Sequence, residues 1–152
     1  RITFINGIRT SEKDCQMAAE KISSIFGATC FPFWNPTAGS LRDLSQAARQ
    51  KYFSSETPEV KGLARHLKDN LEKSGKDGQL IHIAHSQGSI ITFLCTKYLT
   101  VSERSRISVI CIGGAQSLSD NDFGASINYY TTNEPMLYID ARALRSFRYL
   151  EA

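Results

Sequence analysis

Apolar positions along this chain follow two alternating rhythms. "RITFING" opens with an apolar run that breaks at Asn6-Gly7, the pattern of a short buried strand ending in a turn. A spacing of three and four follows. Cys15, Ala18, Ala19, Ile22, Ile25 and Phe26 share a helical face, with Ser11 and Asp14 as a capping box before them and Gly27 as the stop. "ATCFPFW" predicts a second strand, and Pro32 within it predicts an edge position, because proline donates nothing to a ladder. Ser40 and Asp43 offer a second capping box for a short helix with Leu41, Leu44 and Ala48 inward. Thr57-Pro58 starts a longer helix, proline being tolerated at its first position, with Val60, Leu63, Ala64, Leu67 and Leu71 as the buried stripe. "QLIHIA" predicts a third strand, and the helix from 88 to about 99 begins apolar on nearly all sides. "ISVICIGG" predicts a fourth strand, buried on both faces by its near-continuous apolar run. "SINYYTT" predicts a fifth, and the tail "ARALRSFRYLEA" a final helix.

Such alternation predicts an α/β fold: one domain over residues 1–152 with a doubly wound, mainly parallel sheet of about five strands flanked by helices. With the proline-bearing strand outside the first, right-handed crossovers give the order 2-1-3-4-5. The switch point then falls between the first and third strands, where doubly wound proteins bind ligands. Asn6-Gly7 and His85-Ser86, which end those two strands, meet at that crevice.

Composition narrows the classes of partner. The apolar fraction of 41% and charged fraction of 22% are those of an ordinary globular domain rather than a disordered one. The formal charge of +3 is spread along the chain, without the basic stripe of a nucleic-acid surface. Apolar runs are too short to span a bilayer and no signal peptide opens the chain, so the expectation is a cytoplasmic protein or secreted effector, not an integral membrane protein. Cys15, Cys30, Cys95 and Cys111 lie in apolar contexts without CxxC or metal-type spacing, which favours free buried thiols in a reducing compartment over disulfides. No metal and no organic cofactor is implied, and protein partners are not specified.

The chemistry concentrates at "IAHSQGSI". A serine hydroxyl is a weak nucleophile at neutral pH and needs a base and an oxyanion site. A strand–turn–helix elbow holds the serine proud of the sheet, and the residues two before and two after it must be small, because strand and helix nearly touch. Ala84 and Gly88 meet that demand around Ser86. The Gln87 N–H, at the new helix start, would face a developing oxyanion, and the Ile8 N–H after Gly7 is the natural second donor. The competing reading makes Ser86 a cap for the following helix. The histidines fit a base poorly: His85 points away from the serine, His82 lies inside a strand, and His66 sits on the solvent-facing side of its helix. Glu134, just after the fifth strand and before Pro135, stands where a triad carboxylate belongs, with Asp120 and Asp122 as fallback acids. No histidine follows Glu134.

These residues resemble the α/β-hydrolase superfamily over most of the chain. More narrowly, "FINGI", "NPTAG…DL", "TPEV…L" and "IAHSQGSI" resemble a chlamydial domain family of unknown function. The resemblance implies a partial hydrolase core, beginning at that fold's third strand and ending after its seventh, without the N-terminal strands or the C-terminal strand and histidine loop. It implies Ser86 as nucleophile and Glu134 at the position usually held by aspartate. Asn6 departs from the histidine that commonly precedes the oxyanion glycine Gly7. Trp34 and Asn35 would lie beside the crevice, Trp34 either shaping an acyl pocket or anchoring the edge strand. The expected activity is a serine hydrolase of esterase, lipase or thioesterase type, acting on small-molecule or lipid esters. The alternative is a catalytically inactive hydrolase-fold binding or scaffold domain.

Overall fold

Five strands form where the apolar runs predict them. The computed structural model describes residues 1–36 and 57–130. Strand β1 (Ile2–Ile5) is buried throughout, and helix α1 (Glu12–Phe26) follows it. Ser11 caps α1 by accepting from the Asp14 N–H, and Gly27 closes it with φ 63°, a left-handed conformation that costs glycine little. Next come β2 (Cys30–Phe33) and α2 (Pro58–Lys73), the latter with Thr57 as N-cap and Pro58 in its first turn. After α2 come β3 (Leu80–His85), α3 (Gly88–Cys95), a 3₁₀ turn (Thr96–Tyr98), α4 (Val101–Ser105), β4 (Ile107–Ile112) and β5 (Ala125–Tyr129). The sheet is entirely parallel in the order β2-β1-β3-β4-β5, a doubly wound α/β fold with Pro32 on an edge strand as expected.

Strand alternation sorts the core into two layers. Ile5, Leu80, Ala84, Ile107, Val109 and Cys111 face α2 and α3, whose Val60, Leu63, Leu67, Leu71, Ile90 and Ile91 complete the larger core. Ile2, Phe4, Cys30 and Ile83 face α1, through Cys15 and Ala19. Among the described residues, no helix is long and apolar enough to cross a membrane.

Three expectations are corrected. β4 is not buried on both faces: Ile107, Val109 and Cys111 are covered, whereas Ile112 is 46% exposed, because the smaller core around α1 thins out towards this side of the sheet. The end of α1 is exposed too, Ile25 at 78% and Phe26 at 45%. The helix after Ser86 stops at Cys95, where the Cys95 thiol and Thr96 hydroxyl donate to the Thr92 and Phe93 carbonyls and the chain tightens into the 3₁₀ turn. The capping box of Thr100 and Glu103, legible but unused in the sequence, then starts the short α4. The helices expected at 41–53 and 141–152 lie outside the described residues.

Register places the crevice. Ile5 lies opposite both Phe33 and Ala84, so Gly7, Asn35 and Ser86 leave three adjacent strands at one level.

Candidate active site

Ser86 has φ 50°, a left-handed conformation that a residue with a Cβ rarely adopts. The turn is braced from two sides. The Ser86 N–H donates to the Ile112 carbonyl at 3.0 Å, and its carbonyl accepts from the Ser89 N–H, the Ser89 hydroxyl at 2.7 Å and the Ala115 N–H. Ser89 in turn accepts from the Gln116 N–H at 3.0 Å, tying the loop after β4 to the elbow. In the sequence Ser89 looks like any first-turn helix residue, so its bracing role left no signal there. The N-cap of α3 falls on Gln87, which separates Ser86 from the simple capping role.

The small residues are needed for space. A Cβ on Gly88 would lie 2.9 Å from Ile5 Cγ2 and 3.0 Å from the Asn6 carbonyl oxygen. A Cβ on Gly7 would lie 2.9 Å from Ser86 Cβ and 3.3 Å from its Oγ, so the β1 turn is pressed directly against the serine. Ala84 is fully buried beneath it. Ile8 is half-buried and Arg9 (φ 56°) closes this turn.

Behind that contact lies a buried amide network. The Asn6 side chain grips the Asn35 backbone twice, Oδ1 accepting from its N–H at 2.7 Å and Nδ2 donating to its carbonyl at 3.0 Å. Asn6 Nδ2 also donates to the Gly7 carbonyl at 2.6 Å. Asn35 Nδ2 donates to Gln87 Oε1 at 3.1 Å. Pairing with a backbone N–H and a backbone carbonyl fixes which Asn6 atom is oxygen and which is nitrogen. Asn35 therefore sits within the structure rather than lining an open crevice. Trp34, 39% exposed, donates its Nε1–H to the Thr10 carbonyl at 3.0 Å and pins the strand end to the β1–α1 loop.

Two of the histidines are committed elsewhere. His82 is fully buried, with Nδ1 2.9 Å from the Thr3 hydroxyl and Nε2 3.0 Å from that of Thr92. Thr92 spends its proton on the Gly88 carbonyl, so it accepts from Nε2–H, and Nδ1 accepts from Thr3. Burial holds this imidazole neutral, with its pKa pushed down to about 3. His66 is not solvent-facing as expected. Its ring lies against Phe33 and its Nε2 donates to the Phe31 carbonyl at 3.2 Å, because α2 turns this face towards the edge strand; burial lowers its pKa. His85 follows the β3 alternation onto the opposite face of the sheet from Ala84 and is exposed, yet its Nδ1 stays beside the Gly7 turn, 3.1 Å from where a Cβ on Gly7 would stand, so it is nearer the serine than expected.

Asp120 and Asp122 are engaged in their own loop, Asp120 accepting from the Ser126 N–H and Asp122 from the Ser119 N–H and hydroxyl. Glu134 lies outside the described residues. No group of three or more His, Cys, Asp or Glu gathers as a metal site among the described residues. All four cysteines are free and buried, and burial raises the thiols of Cys15 and Cys30 to about 11 and that of Cys111 to about 12. A soluble maleimide should therefore leave the folded protein unmodified at neutral pH and label all four thiols in urea, by intact mass. Rapid modification without urea would contradict their burial. No protein-family model and no curated protein sequence matches the chain.

Proposed function

We propose that the chain carries the nucleophile half of an α/β-hydrolase-type serine hydrolase acting on esters or thioesters. One observation carries this reading: Ser86 sits at φ 50° between a buried strand and a buried helix, pressed against the turn at Gly7. A strained, braced serine at the C-terminal edge of a parallel sheet suits nucleophilic attack better than it suits packing. In this mechanism Ser86 Oγ adds to the acyl carbonyl as its proton passes to a histidine base. The N–H groups of Ile8 and Gln87 hold the oxyanion, and collapse expels the alcohol or thiol, protonated by the same base, to leave the acyl-enzyme. Glu134 orients that base. His66 and His82, both held in structural hydrogen bonds, do not supply that base.

A second reading, a binding or scaffold domain that keeps the fold without turnover, is favoured by the commitment of His66 and His82 to structural hydrogen bonds. Fluorophosphonate labelling followed by mass spectrometry separates the two, run on residues 1–152 and on the longest native chain. The hydrolase reading expects Ser86-dependent labelling in the longer protein, abolished by Ser86→Ala. No labelling at either length would overturn it in favour of the binding domain.

A further inference from the structure

We infer that Asn35 is a positioning residue, a latch that fixes the loop after β1 against the serine elbow. Its catalytic consequence rests on the hydrolase reading; its mechanical one rests on geometry alone. Register brings Asn35, Gly7 and Ser86 to the same level on three neighbouring strands. From there the hydrogen bonds form a continuous path. The Asn6 side chain holds the Asn35 backbone at both its N–H and its carbonyl, and the Asn35 side chain crosses to Gln87 Oε1. The path links the residue before Gly7 to the residue after Ser86, the same two turns whose backbone N–H groups the proposed oxyanion site requires. It also reaches Gly7 itself, whose carbonyl accepts from Asn6 Nδ2.

Burial separates this role from direct participation. Asn6 is 1% exposed and Asn35 and Gln87 are not exposed at all, so none of the three side chains reaches the open side of the crevice. Three amides in a closed space carry a desolvation cost that apolar side chains would avoid. They supply direction in return. Oxyanion donors act only when set within a few tenths of an ångström, and a fully paired network holds two turns to that tolerance where packing alone would let them slide. The sequence gives no hint of this, since an asparagine before Pro36 reads as a turn former.

The test compares Asn35→Leu with the double variant Asn35→Leu/Gln87→Met. The single change leaves Gln87 Oε1 without its Asn35 partner and should lower the thermal midpoint; the double change removes that mismatch and should recover part of the loss. A purely structural role would be restored with the midpoint. The latch predicts instead that, in the double variant, backbone amide exchange at Gly7 and Ile8 stays at least about tenfold faster than in the native protein. It also predicts that Ser86 phosphonylation in the longest native chain stays about tenfold slower. Native exchange rates at Gly7 and Ile8 in the double variant would overturn the latch. Faster exchange with an unchanged labelling rate would overturn its catalytic role. If the native protein is not labelled at all, the hydrolase reading fails and exchange alone decides the latch.

Discussion

Acidifying the protein from neutral pH to about pH 5 should remove about 2 kcal/mol of folding stability through His82 alone. The unfolded imidazole titrates near 6.5, and burial between Thr3 and Thr92 lowers the folded value to about 3. The sign follows from proton uptake. Below about 6.5 the unfolded chain binds a proton that the folded protein refuses, so acid favours unfolding. The stabilisation is complete above the unfolded value and falls away as pH drops towards the folded one. A loss of about 2 kcal/mol is a large share of the roughly 5–15 kcal/mol that holds such a domain together. The cause is local. Protonation would force Nδ1 to donate where it now accepts from Thr3, inside a fully buried site. NMR titration of the folded protein checks it directly: the His82 ring resonances should stay flat from neutral pH to about pH 5. A His82 midpoint near 6.5 in the folded state would sink the prediction.

The same buried histidine marks where sequence reading reached and where it stopped. Strand order, the edge position of β2 and the meeting of Asn6-Gly7 with His85-Ser86 were legible because each rests on local pattern: a short apolar run, a proline, a glycine. Those patterns carry no information about which element covers a given face. The run at residues 107–112 reads as buried on both sides, yet the smaller core leaves Ile112 partly open. His66 looks solvent-facing until α2 is docked with that side towards β2. Asn35 is the sharpest case. Its partners Asn6 and Gln87 are 29 and 52 residues away, and only the parallel register brings the three amides together. Polar groups at chain turns look alike in sequence whether they face water or one another.

Gly88→Val should destabilise the protein by about 3 kcal/mol or more, a typical upper cost for overpacking a closed gap. That lowers the thermal midpoint by roughly 10 °C, at about 2–4 °C per kcal/mol for a domain of this size. The reason is space rather than backbone freedom. The first added carbon alone would stand 2.9 Å from Ile5 Cγ2, 3.0 Å from the Asn6 oxygen and 3.1 Å from the Ile5 oxygen. Two of those neighbours are backbone oxygens, of Ile5 at the end of β1 and of Asn6 just after it, and β1 is hydrogen-bonded on both sides and has nowhere to go. Scanning calorimetry reads the effect, and a midpoint within about 2 °C of the native one would mean that the gap between β1 and α3 is wider than the structure places it. Ser86→Gly supplies the contrast. It removes a left-handed serine that costs about 1–2 kcal/mol and replaces it with a residue indifferent to that conformation, at an entropic cost of about 0.5–1 kcal/mol in the unfolded chain. Stability should therefore hold or rise slightly. At residue 88 the residue that suits the fold is the one present, whereas at residue 86 a glycine would suit the backbone as well or better. Under the proposed hydrolase reading, the hydroxyl is the reason for a side chain where the backbone disfavours one.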